Sequence, residues 1–329
     1  MLAICGSLNQ TTMMHAVGRE LADDCDVLYT PYYADGVLKW LNGKGFLDFT
    51  IMGPGSNFLR QTSEYMADHQ LPLDPGGSDG PYDLVLTCSD LIVQRNIRGR
   101  PIILIQEGMT DPEDTLYHLV RKFKLPRWLA STATTGLSLA YRRFCVASEG
   151  YRQHFHRKGV PLDRLVVTGI PNYDNCAALL DNDFPLRDYV LVATSDTRET
   201  FKRDDRRTFF DQIERIARGR PLVFKLHPNE NAERSTAEIQ ARFGPVPVYH
   251  TGNTGHMIAN CQALICQYST VVYTGLALGK ECHSYFDMAE LRRLLPVQNG
   301  GTSARNMAAV CREVIEDAAA APRYARAAG

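Results

Sequence analysis

Short apolar runs alternate with helical patterns along most of the chain. The apolar runs lie at residues 2–5, 26–29, 83–87, 101–106, 144–147 and 165–168, and then at 189–194, 221–226, 246–249, 263–266 and 281–285. Segments of helical periodicity lie between them, among them 204–218, 232–243, 271–278 and 303–318. Short buried strands that alternate with helices are typical of parallel sheets built from βαβ units. The pattern therefore predicts an α/β fold.

A polar segment with little periodicity separates the two series of strands. It is residues 168–188, TGIPNYDNCAALLDNDFPLRD, which contain two prolines and several Asn and Asp residues. Such segments are typical of domain boundaries. We expect two Rossmann-like domains, residues 1–172 and 173–329, that face each other across a cleft. In open α/β sheets the ligand lies at the carboxyl ends of the strands, so the residues that follow each strand are the candidates for a site.

Composition narrows the class of protein. The chain has 329 residues, 44% of them hydrophobic and 22% charged, which is ordinary for a globular protein and excludes disordered or fibrous classes. No apolar run approaches the length needed to span a bilayer. The start, MLAICGSLNQ, has no basic segment before its apolar residues, so no signal peptide is expected.

The cysteines and paired acids indicate neither disulfides nor metal. The nine cysteines form no CxxC motif, and several lie inside apolar runs, where a reduced cysteine behaves as a small hydrophobe. This usage predicts a cytoplasmic protein. Two DxD tripeptides, at 24–26 and 181–183, lie before a strand and in the boundary segment. We therefore expect no magnesium site and no cofactor.

Positive charge is concentrated in one block. Residues 1–120 contain seven Lys and Arg against sixteen Asp and Glu, whereas residues 121–158 contain nine Lys and Arg against the single acid Glu149. Such a block suits a phosphate-rich partner or an anionic membrane, which would place the protein at the inner membrane face. A solvated helical face is the other interpretation. No nucleic-acid partner is expected.

Three features of the first half are candidates for chemistry. GSLNQT follows the first strand, and a glycine turn with hydroxyl residues at a helix start can bind an anion, although the segment matches neither GxGxxG nor a Walker loop. His15 lies in the following helix, where a structural role competes with a catalytic one. Glu107 follows the strand at 101–106, where a carboxylate can act as a base or bind a sugar hydroxyl.

The second half has polar residues at three strand ends. Arg198 and Lys202, four residues apart after 189–194, can reach one phosphate, although they also suit a polar helix start. Lys225, His227 and Asn229 alternate at the end of an apolar strand, which suits phosphate neutralisation and proton transfer.

The third strand end in the second half is followed by two hydroxyl residues. Ser269 and Thr270 precede the helical pattern at 271–278. Hydroxyls and free N–H groups at a helix start can bind an anion. An ordinary Ser/Thr helix cap is the alternative.

These motifs together resemble the GT-B superfamily of nucleotide-sugar enzymes, which has two Rossmann-like domains. The order HP, then YST and LGK, then HSYFD is similar to CDP-glycerol glycerophosphotransferases and capsule-polymer transferases. The order EG, VTGIPNYDN, HPN and LGK is partly similar to UDP-N-acetylglucosamine 2-epimerases. The chain has no acid at 269–274, where the epimerases carry paired glutamates. It has Gln267 where the glycerophosphotransferases usually carry Asp.

The resemblance implies a metal-independent transferase of surface-polysaccharide biosynthesis with an N-terminal acceptor domain and a C-terminal donor domain. It implies that His227, Ser269 and Thr270 bind the pyrophosphate of a CDP- or UDP-linked sugar or polyol. Lys225, Arg198, Lys202 and Asn229 are further phosphate candidates. Glu107 or His15 would deprotonate a glycan or lipid-linked acceptor. A UDP-sugar 2-epimerase with Glu107 and His227 as acid and base, or a non-catalytic nucleotide-sugar-binding protein, are the alternatives.

Overall fold

The chain folds into two α/β units. A computed structural model describes residues 1–45, 50–53, 55–195, 198 and 205–320. Unit 1 consists of Met1–Asp174 together with Asn299–Gly329, and unit 2 consists of Asn175–Gln298. Each unit contains one parallel sheet with interleaved helices, so the α/β fold predicted from the sequence is confirmed.

The described residues form eleven strands, which match the eleven apolar runs closely. They are β1 Leu2–Cys5, β2 Leu28–Pro31, β3 Val85–Thr87, β4 Ile102–Ile105, β5 Arg143–Val146, β6 Leu165–Val167, β7 Val190–Ala193, β8 Leu222–Lys225, β9 Val248–Tyr249, β10 Ala263–Cys266 and β11 Glu281–His283. The helices are α1 Leu8–Glu20, α2 Gly36–Gly43, α3 Asn57–Asp68, α4 Thr115–Phe123, α5 Glu149–Lys158, α6 Arg206–Ala217, α7 Ala232–Phe243, α8 Thr254–Asn260, α9 Val271–Ala277, α10 Met288–Leu294 and α11 Ser303–Ala320. No helix in these ranges is both long and apolar enough to cross a membrane.

The sheet of unit 1 has the strand order β2-β1-β3-β4-β5-β6. All residues of β1, β3 and β4 are buried, as expected when helices cover both faces of a parallel sheet. The chain runs from β1 to β2 in one direction and then returns to place β3 on the other side of β1. The switch point of this sheet therefore lies between β1 and β3.

The last helix, α11, belongs to unit 1 and not to the second series of strands. It packs against α1, and Met307, Ala308 and Cys311 are fully buried. Arg312 adds an ion pair to Asp24, at 2.6 Å between Nη2 and Oδ2. From the order of elements alone, residues 299–329 are expected to belong to the second domain, because they follow it in the chain. The packing differs because the apolar face of α11 is covered by an N-terminal helix.

The sheet of unit 2 has the strand order β11-β10-β7-β8-β9. Its core combines β-branched strand residues with the aromatic side chains of α6 and β8, including Phe209 and Phe224. The chain runs from β7 through β8 to β9 and then returns to place β10 on the other side of β7. The switch point of this sheet, where open α/β folds bind ligands, therefore lies between β7 and β10.

Candidate functional site

In unit 2, polar side chains meet at the carboxyl ends of the central strands. Thr194 and Ser195 follow β7, His227 follows β8 and Gln267 follows β10. Thr194, Ser195 and Gln267 are each less than a tenth exposed. Apolar strands end here in buried polar groups, and such groups are stable only when they are hydrogen-bonded.

Ser195 and Gln267 join across the switch point. The Ser195 hydroxyl donates to Gln267 Oε1 at 2.7 Å, which links the residues that follow β7 and β10. The backbone carbonyl of Gln267 accepts from the Ser284 hydroxyl at 2.7 Å, which adds the residue after β11. The carboxyl edge of this sheet therefore carries a connected network of hydrogen-bonded polar groups. The network lies at the switch point, where open α/β folds bind ligands.

Glu230 holds the turn that follows β8. It is 5% exposed, and its carboxylate accepts from the backbone N–H of His227 at 2.9 Å, from the Ser235 hydroxyl at 3.2 Å and from the Thr194 hydroxyl. Arg206 completes the set with an ion pair of 2.9 Å. A buried carboxylate is stable only with such partners, so Glu230 fixes the turn relative to β7 and α6.

The His227 ring is oriented by its own turn. Its Nδ1 accepts from the backbone N–H of Asn229 at 3.2 Å, and the Glu230 N–H donates to the His227 carbonyl at 3.0 Å. Because Nδ1 is an acceptor, the neutral ring carries its proton on Nε2. The partly exposed ring thus has Nε2–H as its donor.

Lys225 is directed into the unit. It is 6% exposed, and its ammonium group donates to the carbonyls of Leu226 at 2.8 Å and His250 at 3.2 Å. Burial lowers its pKa, with a smaller opposing effect from Glu230. The sequence predicts that this cation lies beside His227 at a phosphate. In the structure its ammonium group is instead hydrogen-bonded to two backbone carbonyls.

Arg198 is also engaged within unit 2. Its Nη1 contacts both carboxylate oxygens of Glu238, at 2.8 and 3.1 Å. Its predicted companion, Lys202, lies outside the described residues. The paired phosphate role of these two cations remains a prediction.

Ser269 and Thr270 lie directly before α9, as the sequence predicts. Both are partly exposed, and Thr270 occupies the N-cap position. Its side chain makes no capping hydrogen bond, unlike Asn231 and Asn253 at the starts of α7 and α8. The N-cap position of Thr270 is therefore not explained by a side-chain capping bond.

Aromatic side chains border the same edge. Tyr268 is 54% exposed, and its ring makes edge contacts with Tyr285 and Phe286 at centroid distances of 5.4 and 5.1 Å. Exposed aromatic faces can stack against a base or a sugar ring. Tyr268 was not a candidate from the sequence.

In unit 1, Glu107 lies at the carboxyl end of β4 and binds the start of α1. Its Oε1 accepts from the Ser7 hydroxyl at 2.8 Å and from Asn9 at 3.3 Å, and its Oε2 accepts from Gln10 at 2.6 Å. The GSLNQT segment therefore surrounds a carboxylate. Its side-chain donors are turned toward Glu107, which disfavours the predicted anion site.

His15 lies near the middle of α1 and contacts α3. Its Nδ1 is 3.0 Å from the Tyr65 hydroxyl, and its ring packs edge-on against His69. Burial lowers the pKa of His15, and the nearby His69 and Arg19 lower it further. The structure thus groups His15 with Tyr65 and His69, and groups Glu107 with Ser7 and Gln10.

Sequence reasoning did not identify Glu230, Ser195 or Gln267 as site residues. Each was available as a polar residue directly after a predicted strand or turn. Glu230 follows His-Pro-Asn, and a carboxylate three residues after a strand-ending histidine can bind the backbone of the turn. The position of Glu230 in the sequence therefore indicates a contact with the turn, but it does not show that the carboxylate is buried.

Comparison with known proteins gives a clear result for the fold alone. No protein-family model matches the chain, and no curated protein matches its sequence. Among solved structures, the wall teichoic acid polymerase TagF, in a crystal soaked with CDPG, matches with a TM-score of 0.53 and 9% identity, over 97% of this chain and 90% of that one. A UDP-GlcNAc 2-epimerase from Neisseria meningitidis, bound to UDP-GlcNAc, matches with a TM-score of 0.58 and 13% identity, over 95% of this chain and 99% of that one.

A third structure supports the same fold. The UDP-N-acetylglucosamine 2-epimerase from Rickettsia bellii matches with a TM-score of 0.50 and 10% identity, over 96% of this chain and 95% of that one. At these identities the likeness establishes architecture and not activity. The chain shares the fold of these structures, with two Rossmann-like α/β units, and the resemblance inferred from the sequence is confirmed at the level of the fold.

Proposed function

We propose that this chain is a metal-independent transferase that moves a sugar or a polyol-phosphate from a CDP- or UDP-linked donor in surface-polysaccharide assembly. The observation that carries the proposal is the Ser195–Gln267 hydrogen bond across the switch point of unit 2. It lies at the edge where His227 presents Nε2–H. The solved structures that share this fold include proteins crystallised with CDPG and with UDP-GlcNAc.

In this proposal His227 acts on the leaving nucleotide. Negative charge grows on the leaving group as its bond to the transferred group breaks, and donors already held in position stabilise that charge without reorganising. The leaving group is a nucleoside diphosphate when a sugar is transferred and a nucleoside monophosphate when a polyol-phosphate is transferred. His227 donates a hydrogen bond through Nε2. Ser269, Thr270 and Asn229 bind the phosphate oxygens. Lys225 and Arg198 are engaged within unit 2, so we assign them a supporting role, and Lys202 remains a predicted phosphate ligand.

On the acceptor side the proposal assigns the base to unit 1. Glu107 deprotonates the hydroxyl of a glycan or lipid-linked acceptor, because it lies at the carboxyl edge of its sheet. His15 is the weaker candidate, since its ring is engaged with Tyr65. A peripheral contact of residues 121–158 with an anionic membrane belongs to the same proposal, as does a cytoplasmic location.

A UDP-sugar 2-epimerase is the alternative, because two epimerases share the fold over nearly their whole length. Glu107 and His227 would then be the acid and base partners. Turnover in deuterated water separates the two: epimerisation places deuterium on C2 of the sugar, whereas group transfer places none. A non-catalytic nucleotide-sugar-binding protein would bind the donor and convert nothing.

The test of donor binding is a thermal-shift panel of CDP-, UDP-, GDP- and CMP-linked sugars. A ligand that binds only the folded state raises the melting temperature by mass action. We expect a CDP- or UDP-linked compound to give the largest increase. No increase with any member of the panel would contradict the proposal.

The phosphate site is tested by the double variant Ser269→Ala/Thr270→Ala. Loss of hydrogen bonds to a charged group should weaken donor binding by about 2–3 kcal/mol. Because both side chains are partly exposed, the melting temperature should change little. The control is Asp205→Ala, which removes the cap of α6 and should cost about 1 kcal/mol of stability without weakening donor binding. Unchanged affinity in the double variant would remove this pair from the site.

A further inference from the structure

Helix α4 of unit 1 carries two apolar stripes and buries one of them. Tyr117 and Val120 are almost completely buried, in a cluster with Ala130 and Ala133. The second stripe is Leu116, Leu119 and Phe123, whose side chains are 42%, 42% and 60% exposed. Residues spaced by three or four positions lie on one face of a helix, so the second stripe forms a continuous exposed surface.

The residues that follow α4 extend this exposed surface. Leu125, Trp128 and Leu129 are each about 40% exposed. With the second stripe they make up six of the sixteen large hydrophobic side chains that are exposed among the described residues, within only fourteen positions. Scattered exposed hydrophobics are ordinary, but a concentration of this kind marks an interaction surface. We call residues 115–129 the α4 surface.

Positive charge surrounds these apolar side chains. The α4 surface contains Arg121, Lys122, Lys124 and Arg127 and no acidic residue. The Lys122 ammonium lies 5.6 Å from the centroid of the Phe123 ring. Beside it opens a cavity of about 680 Å³, lined in part by Arg98, Lys124 and Trp128. The acids Asp111, Glu113 and Asp114 all precede the surface, and Asp114 caps α4 by accepting from the Tyr117 N–H.

Several cations of the basic block are paired within unit 1, and in the α4 surface Arg127 pairs with the buried Asp90 at 3.2 Å. Arg143 pairs with Glu313 at 2.8 Å, and Arg152 pairs with Glu149 at 3.4 Å. The Lys158 ammonium is buried and donates to the Ala133 carbonyl. Residues 115–129 combine six exposed apolar side chains with exposed cations, so this part of the block can both insert into a bilayer and attract its phosphates.

We propose that the α4 surface binds an anionic lipid bilayer by inserting Phe123 and Trp128 among the acyl chains while its lysines and arginines contact the lipid phosphates. Apolar side chains between cations are suited to this boundary, because long basic side chains extend from an apolar surface to the charged head groups. A protein partner would need acidic groups against the exposed Arg121, Lys122 and Lys124 and an apolar face against six side chains. An anionic bilayer supplies both, and it needs no specific sequence.

This proposal refines the membrane partner named above and is independent of the donor site. The surface lies entirely in unit 1, and the binding assay contains no nucleotide. Failure of the thermal-shift panel would therefore leave the membrane result intact, and failure of membrane binding would leave the donor proposal intact.

The first experiment uses Trp128 as the reporter. The chain has two tryptophans, Trp40 and Trp128, so Trp40→Phe leaves only the residue on the α4 surface. We expect its emission to shift to shorter wavelength with mixed phosphatidylcholine and phosphatidylglycerol vesicles, and to be quenched when the acyl chains carry bromine. Unchanged emission at saturating anionic vesicles would overturn the proposal, even if the protein sediments with them.

The second experiment measures co-sedimentation with the same vesicles and with pure phosphatidylcholine. We expect Leu119→Ser/Phe123→Ser and Lys122→Gln/Lys124→Gln each to weaken binding to the mixed vesicles by about tenfold or more. Added salt should weaken binding too, since it screens the charges. The matched controls are Leu73→Ser and Arg305→Gln, both exposed in unit 1 outside the α4 surface, which should bind as the unaltered protein does. Equal losses in the controls, or binding without preference for anionic lipid, would overturn the proposal.

Discussion

The orientation of the His227 ring decides which of its nitrogens can act on a ligand. Its Nδ1 accepts from the Asn229 backbone, so the remaining function is that of a donor at Nε2. Replacement of His227 by Gln or by Asn can distinguish the roles of the two ring nitrogens. Gln places its NH₂ group near the position of Nε2, and Asn places its NH₂ group near the position of Nδ1.

We predict that His227→Ala lowers turnover by about 10²–10⁴-fold, the usual effect of removing a positioned acid or base. His227→Gln should retain more activity than His227→Asn, because only Gln restores a donor at the required position. Initial rates and melting temperatures of the three variants test this. A folded, fully active alanine variant, or an Asn variant that exceeds the Gln variant, would contradict the assigned role.

His15 makes a different prediction, about stability and pH. Burial, His69 and Arg19 lower its pKa in the folded protein below the ordinary value near 6.5. As the pH falls below that value, the unfolded chain takes up a proton before the folded one does, so stability is lost through this window. We expect the free energy of unfolding to fall between about pH 7 and pH 5, and to fall less in His15→Gln. Denaturant titrations at both pH values provide the measurement, and identical pH dependence in the two proteins would exclude this coupling.

Lys225 shows where residue-level reasoning from the sequence stops. Alternation along the strand correctly places Lys225 and His227 two positions apart at the end of β8. The alternation does not show which polar side chain is hydrogen-bonded to backbone carbonyls. The ammonium of Lys225 satisfies two carbonyls inside unit 2, and this pairing depends on His250, twenty-five residues later. Contacts between distant segments are invisible in the local pattern.

At the scale of elements, the strands were predictable because burial on both faces gives a continuous apolar run. β10, for example, is ALIC, and all four residues are buried. The helices of unit 1 were harder to predict. α2 buries no residue, and α3 buries only Thr62 and Met66, so neither leaves a strong apolar stripe in the sequence.

The turn after β8 depends on one buried carboxylate, and this can be tested. Glu230→Gln removes the charge that faces Arg206 and should destabilise the protein by about 3 kcal/mol, as expected when a buried pair loses one partner. Turnover should fall as well, since Glu230 also fixes the His227 backbone. Chemical denaturation and initial rates measure the two effects.

The control for this variant is Glu238→Gln. Glu238 pairs with Arg198 and also lies 3.7 Å from Arg206, but it is 32% exposed, so its loss should cost less than about 1 kcal/mol. A Glu230 variant as stable as the Glu238 variant would show that the carboxylate does not hold the turn.

At the scale of the whole molecule, the packing of α11 against unit 1 predicts which unit loses stability when this helix is altered. Met307 is fully buried in α11, whereas its neighbour Ala309 is exposed. Met307→Asp should cost about 4 kcal/mol or more, because it buries an unpaired charge, and Ala309→Asp should cost little. Hydrogen exchange should increase in peptides of unit 1, including α1, and change little in unit 2. Loss of protection confined to unit 2 would contradict the assignment of α11.

This packing could not be predicted from the order of elements alone. A helix after the last strand of a Rossmann-like series ordinarily covers that series, and the pattern at 303–318 shows only that the helix has an apolar face. The helix α11 packs against α1, and its Arg312 pairs with Asp24. Both partners lie nearly three hundred residues earlier in the chain.

The discontinuity of unit 1 has a consequence for synthesis on the ribosome. The six strands of its sheet have all emerged once β6 is complete, but α11 follows only after every residue of unit 2. During that interval the face of α1 that α11 later covers is open to other contacts in the nascent chain. Unit 2 is continuous, so it can fold as soon as its own last strand and helix emerge. We therefore expect the second half of this protein to reach its native structure first and the N-terminal unit to close last, an order that pulse proteolysis of stalled nascent chains can detect.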